Sequence, residues 1–287
     1  MSENKSRPDE FYIGYQPEAL PTFVRKIRQF LLLLILLIPI LAYVLVTNQK
    51  GFPNSTFELG QFTEVEGVLN LSPVPMLKVY AGKSLDGKTI IQSILLIGFG
   101  KFGAEPTLEK MEAASGQRLV GKMLKLEGTL IYYDGKTLLE LTRGEDALKA
   151  VSETQARQPA QNVLGTVKLK GEIADPKCFF GVMKPGEGKA HRSCAIRCIS
   201  GGIPPILKAT NQTGEQNYFL LTDMAGNKIN AKFLHKIGMA WEVMGELVQQ
   251  DDWLILKVDP ENGIERTHPE LLGQIQMCQE SQLARNF

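Results

Sequence analysis

The chain has 287 residues, of which 44% are hydrophobic and 22% charged, with a net charge of +1. These are globular proportions, and no basic stripe interleaved with aromatic residues occurs. That excludes a nucleic-acid partner, for which clustered Lys and Arg would have to neutralise phosphates. Once a tail and an apolar segment are set aside, about 235 residues remain, enough for one large domain or two small ones.

Residues 1–29 form a tail containing Phe11, Tyr12, Tyr15, Pro17 and Pro21. Residues 30–46 then read FLLLLILLIPILAYVLV, without a charge. A helix of that length covers about 25 Å at 1.5 Å per residue, enough to cross the hydrocarbon of a bilayer. Pro39 is tolerated in a spanning helix. Arg25, Lys26 and Arg28 precede the run, and only Lys50 follows closely. The positive-inside rule therefore places 1–29 in the cytoplasm, a single transmembrane helix over 30–47, and the rest in the periplasm or outside the cell. The residues after the run, TNQKGFPN, offer no small-x-small cleavage site, so the segment reads as an anchor rather than a removed leader.

From residue 57 the pattern changes to strands and turns. Strands are expected over 64–70, 76–81 and 89–98, a helix over 106–115, and strands over 122–133 and 136–142. Pro106 opens that helix and Gly116 ends it. Asp134-Gly135 between the last two strands is a hairpin signal. The segment GKMLKLEGTLIYYDGKTLLEL, beginning at Gly121, aligns without a gap on GMAWEVMGELVQQDDWLILKV, beginning at Gly238. Glycines, apolar positions and turn coincide at an offset of 117 residues. Farther upstream, Glu66-Gly67-Val68-Leu69 matches Lys170-Gly171-Glu172-Ile173. The chain is thus expected to be mostly β, with two similar small barrels over 57–142 and 163–260. Residues 143–162 read as a linker and 261–287 as a helical tail. Five strands with a helix between the third and fourth follow the order of an OB-fold barrel, and glycines inside strands suit its sharp bends.

The second half carries an insertion over 175–205, DPKCFFGVMKPGEGKAHRSCAIRCISGGIPP, which the first half lacks. It holds three of the four cysteines and one of three histidines. A short helix over 190–200, closed by Gly201-Gly202 and Pro204-Pro205, places His191, Cys194 and Cys198 within about 60° of one another. Cys178, His191, Cys194 and Cys198 are therefore candidate metal ligands, with a disulfide among the cysteines an equal alternative. His191 and Cys198 would stand about 10 Å apart along the axis, too far to share one ion while the helix is intact. Cys194 and Cys198, one turn apart, can share one with Cys178, the fourth ligand being water, a displaced His191 or His235. Lys184, Lys189 and Arg192 surround the glycines of PGEGK and are candidate anion or cofactor contacts at a helix N-terminus. The run is not a nucleotide-binding P-loop, because Met183 and Ala190 stand where that motif needs Gly and Ser or Thr. No CxxCH haem site, HExxH or Ser-His-Asp pattern occurs.

With the YIGY start before the anchor, KCFFGVMKPGEGKAHRSCAIRCISGGIPP resembles segments of uncharacterised bacterial membrane-anchored proteins. That resemblance implies membrane anchoring and no particular activity. In fold the halves look like OB-type modules such as the periplasmic haem chaperone of cytochrome c maturation. That chaperone is a single barrel whose haem-attaching histidine has no counterpart placed here.

The sequence therefore points to a non-enzymatic, membrane-anchored binding or assembly protein. Its insertion would meet a metal, a cofactor of unknown identity, or a membrane or extracytoplasmic protein partner. A thiol-disulfide oxidoreductase using Cys194 and a purely structural membrane-complex subunit are the alternatives.

Overall fold

A computed structural model describes residues 21–48, 55–87, 89–154, 161–211 and 215–267, and the backbone of 275–277. The aromatic tail, Cys278 and most of 268–287 lie outside the described residues. The chain divides into two compact units, 1–52 and 53–287.

In the first unit, α1 (Pro21–Asn48) is one helix of 28 residues with no buried residue. Proline at its first position has no N–H to leave unpaired there. It is long and apolar enough to cross a bilayer, with a mean hydropathy of 3.0 over its best window.

The second unit is mostly strands. Its first half comprises β1 (Thr56–Phe57), β2 (Thr63–Asn70), β3 (Met76–Lys83), β4 (Thr89–Gly98), α2 (Glu105–Ser115), β5 (Met123–Tyr133), β6 (Lys136–Leu141) and β7 (Leu148–Ser152). The strand order β5-β2-β3-β4-β6 closes on itself through a β5–β6 pairing. Strands β4 and β6 are parallel, and the other pairs in the ring are antiparallel. This five-stranded closed barrel has the OB order expected from the sequence. Helix α2 seals one end with Leu108 and Met111, and Gly116 closes it at φ 66°.

The second half comprises β8 (Gln161–Ala174), a π-helical turn (Cys178–Val182), α3 (Gly188–Ser200), β9 (Ile206–Thr210), β10 (Gln216–Thr222), α4 (Asn230–Phe233) with a 3-10 turn (Leu234–Lys236), β11 (Ala240–Gln250), β12 (Trp253–Val258), β13 (Ile264–Arg266) and β14 (Ile275–Met277). Strands β8, β9, β10, β12 and β11 close a second ring, again with one parallel pair, β10–β12.

The repeat is visible in the register. Gly67 pairs with Leu124 in the first barrel, and Gly171 with Trp241 in the second. Leu124 and Trp241 are 117 residues apart, the offset read from the sequence. A Cβ at Gly128 would lie 2.5 Å from the Glu140 carbonyl oxygen, and one at Gly245 would collide with that of Lys257. Glu140 and Lys257 are also 117 apart. Both glycines are therefore needed where the strand folds tightly against its neighbour. Between Glu172 and Lys208 the second barrel has 26 residues more than the first has between Val68 and Lys78, which pair equivalently. Those extra residues are the cysteine-bearing insertion, joining the first two strands of the ring.

Two stretches differ from the reading by composition. Within 143–162, Gly144–Ala147 is a 3-10 turn and Leu148–Ser152 is β7, paired to β5. Only Leu148 and Val151 of this short edge strand pack on the barrel core, with Lys149, Ala150 and Ser152 exposed, so the polar residues around it give a linker-like composition. At the other end, the backbone of Ile275–Met277 pairs as a strand with β8 instead of continuing a helix.

Each barrel encloses its own apolar core. A third core lies between them. It joins Val74, Met76, Ile97 and Leu138 of the first barrel to Phe180, Ile206, Leu220 and Trp253 of the second. Polar contacts fix this interface. Trp253 donates its indole N–H to the Ser93 carbonyl at 2.9 Å, and Lys78 pairs with Asp251 at 2.9 Å. The Tyr218 hydroxyl donates to Asp134 at 2.9 Å. Asp134 and Asp251 are repeat-related turn residues at φ 49° and 52°, so each hairpin tip grips the other barrel.

Candidate functional site

The insertion is held between the barrels. Asp175 directly follows β8 and starts a turn in which Phe179 N–H bonds the Asp175 carbonyl and Met183 N–H that of Cys178. The second is an i to i+5 bond, the mark of a π turn, which often occurs where a side chain must be re-aimed. Phe179 and Phe180 pack on Tyr218, and Phe179 also on Tyr133 of the first barrel. Cys178 is thereby aimed inward and is 4% exposed.

The glycines that follow permit close approach. A Cβ at Gly186 would lie 2.5 Å from the Cys178 carbonyl oxygen, and one at Gly181 2.6 Å from that of Thr56. Helix α3 begins where Glu172 accepts a 2.5 Å bond from the Gly188 N–H, an anion at a helix N-terminus. It ends in a Schellman motif, in which Ile203 N–H bonds the Cys198 carbonyl and Gly202 N–H that of Ile199. Gly202, not Gly201, takes the left-handed conformation, at φ 108°. The Asn230 amide adds bonds of 2.8 Å to the carbonyls of Ile199 and Ile203.

This scaffold brings together Cys178, Cys194 and Cys198, whose sulfurs all lie within 4.8 Å of one another. Cys178 Sγ and Cys194 Sγ are 4.0 Å apart. A disulfide needs about 2.05 Å, and all three thiols are free. Around one ion with metal–sulfur bonds of about 2.3 Å, tetrahedral sulfurs would stand about 3.8 Å apart. At 4.0 Å the Cys178 and Cys194 sulfurs are not bonded, and the spacing is compatible with shared coordination.

His191 does not join Cys198, in keeping with their separation along the helix. It belongs to a second group with Asp175 and Cys178, again with ligand atoms within 4.8 Å. Asp175 is fully buried and His191 is 3% exposed. Their facing atoms, Asp175 Oδ2 and His191 Nε2, are 4.0 Å apart, and among the described residues neither atom has a hydrogen-bond partner. His235 is in neither group. Its carbonyl accepts a 3.1 Å bond from Arg192 Nη2, and Lys184 and Lys189 are exposed. Two of the three proposed anion contacts, Lys184 and Lys189, thus lie at the surface, and Arg192 is half-buried.

Four site residues escaped the reading of the sequence. Lys101, from the first barrel, donates to Cys194 Sγ at 2.9 Å. That bond is the main cause that holds its ammonium above the ordinary lysine pKa. Buried Lys177 pairs with buried Glu140 of the first barrel and donates to the Gly100 carbonyl. Asp175 lies three residues before Cys178, a spacing that a search for mixed ligands would have caught. Lys101 and Glu140 have no local signal, since the fold alone brings them here. The Cys178 thiol is pushed up in pKa, first by its hydrogen bond with Cys198, then by burial and by the Asp175 charge.

No protein-family model and no curated protein sequence matches this chain.

Proposed function

We propose that the protein is a membrane-anchored, extracytoplasmic binding protein for a thiophilic metal ion such as Zn²⁺, held by Cys178, Cys194 and Cys198. The convergence of three free sulfurs within 4.8 Å carries this reading. Thiolates are soft donors that favour such ions. Three protein ligands leave a fourth position open, as in sites that exchange a ligand rather than purely structural ones. Lys101 offsets part of the thiolate charge at the least buried sulfur. Helix α1 is the anchor. Arg25, Lys26 and Arg28 before it orient the barrels away from the cytoplasm. A membrane or extracytoplasmic protein partner would receive or deliver the ion.

The test is the metal content of the full chain, purified in detergent under anaerobic conditions, with thiol alkylation read by intact mass. One or more bound ions protecting Cys178, Cys194 and Cys198 until a chelator is added is the expected result. Paired cysteines and no metal would overturn it.

A second reading has one observation in its favour. Cys194 is partly exposed, with an ammonium on its sulfur, an arrangement that supports a nucleophilic thiolate. Thiol-disulfide exchange at Cys194, with Cys178 as resolving partner, would then replace metal binding. Rapid single-site alkylation of Cys194 in the metal-free chain at mildly acidic pH would favour it.

A further inference from the structure

We infer that the centre takes two divalent ions, with Cys178 as a bridging thiolate between the sulfur triad and a second site formed by Asp175 and His191. This rests on the triad reading above and extends it.

Cys178 Sγ is the atom common to both ligand groups: Cys178, Cys194 and Cys198 on one side, and Asp175, Cys178 and His191 on the other. A thiolate sulfur has lone pairs for two metals. The single-ion alternative with His191 as fourth ligand conflicts with the helix, which carries His191 and Cys198 about two turns apart.

The second group has the marks of an incomplete polar environment. A buried polar atom without a partner costs about 1–3 kcal/mol, so native proteins rarely keep several together. Here, among the described residues, Asp175 Oδ2 and both His191 nitrogens are buried without a hydrogen bond. The other carboxylate oxygen is already used, accepting a 2.9 Å bond from the Lys177 N–H. That bond orients the carboxylate and leaves Oδ2 facing His191, as outer contacts of a ligand do. Around one tetrahedral ion a nitrogen and an oxygen stand about 3.3 Å apart. The observed 4.0 Å between Nε2 and Oδ2 closes to that with a small side-chain rotation.

Charge allows the count without deciding it: three thiolates and one carboxylate carry four negative charges, and with the Lys101 ammonium two divalent ions leave one net positive charge where one ion would leave one net negative charge. Lys101 then faces the sulfur nearest solvent.

The experiment is a titration of the full, chelator-stripped, reduced chain in detergent with Zn²⁺ and Co²⁺. Stoichiometry is read by native mass and the Co²⁺ form by electron paramagnetic resonance. Two ions are expected in the unmodified chain. The second equivalent of Co²⁺ should diminish the signal of the first through magnetic coupling across the shared sulfur. His191→Ala and Asp175→Asn should each hold one ion, on the triad. Cys194→Ser should keep the second site, and Cys178→Ser should lose both. Saturation at one ion, unaffected by His191→Ala, would overturn the bridged pair and leave the triad standing. Loss of all metal in His191→Ala would overturn it in favour of one mixed site. No metal in the unmodified chain would overturn both readings. The resonance experiment needs no variant, so a misfolded substitution leaves the inference exposed to refutation.

Discussion

Lys101 and Cys194 lie in different barrels, yet the lysine ammonium stands 2.9 Å from the cysteine sulfur. The loop carrying Lys101 is tied to the end of α3 by the Gly103 N–H on the Gly201 carbonyl at 3.0 Å. Lys177 ties it again, through the Gly100 carbonyl. The sulfur site is thus completed by the barrel that has no cysteine insertion. The first barrel is both a support for the second and a source of charge for its site.

Lys101→Met should therefore weaken metal binding without unfolding the chain. A hydrogen bond to a charged group contributes about 1.5–3 kcal/mol, so affinity should fall about tenfold to a hundredfold in a chelator competition. The melting temperature of the metal-free chain should barely change, because Lys101 is part-exposed at the edge of the fold. An increase in affinity would instead mean that the ammonium competes with the ion for Cys194.

Gly201→Ala tests the tie between barrels. Gly201 has φ near −76°, so alanine is conformationally acceptable. Its Cβ, however, would collide with the backbone carbonyl of Lys101. Relief requires the loop of the first barrel to move, at about 1–3 kcal/mol as in other overpacked sites. Thermal unfolding should drop, and the sulfur-to-cobalt charge-transfer band should shift as Lys101 withdraws. Gly60→Ala is the contrast. Its φ is 82° and its Cβ would meet nothing within 4 Å. It should cost about 1 kcal/mol in backbone strain and leave the cobalt spectrum unchanged.

The same contacts explain what the sequence disclosed. The barrels were legible because closure imposes local demands. Gly128 and Gly245 must lie against a neighbouring carbonyl, and Asp134 and Asp251 must turn at positive φ. Such demands leave a fixed residue at a fixed spacing. The sulfur ligands were legible because all three lie within one insertion of a chain poor in cysteine. Lys101, Glu140 and the core between the barrels leave no such mark. Their partners lie 37 or more residues away, and a surface lysine and a buried one read alike in sequence. Strand β7 was hidden for a related reason, since only Leu148 and Val151 of its five residues pack on the core and so short a strand carries little pattern.

Acid should weaken the second barrel through Glu242. Lys168 and Lys170 flank its carboxylate, and the hydrogen bond from Lys168 is the main cause of its lowered pKa. A carboxyl with a depressed folded pKa stabilises above its unfolded value of about 4.3, and that contribution is lost as pH falls through the lower folded value. Denaturant midpoints should therefore be flat near neutrality and decline in acid. Glu242→Gln should flatten the acidic limb relative to the unmodified chain. An identical acidic limb in the variant would mean that other carboxylates set it.

The buried pair of Lys177 and Glu140 gives the sharpest energetic test of the shared interface. Both side chains are 5% exposed, and Glu140 also accepts a 3.1 Å bond from the Gly100 N–H. Removing one partner strands a charge away from water, at about 3–5 kcal/mol. Lys177→Met and Glu140→Leu should each lower the stability of the full chain by that order in denaturant unfolding. The double variant should recover much of the loss, because no unpaired charge remains. The recovery would be incomplete, since the Gly100 N–H and carbonyl lose their side-chain partners. Additive losses in the double variant would show that the residues act independently, and the pair would then not be what holds the Lys101 loop against the sulfur site.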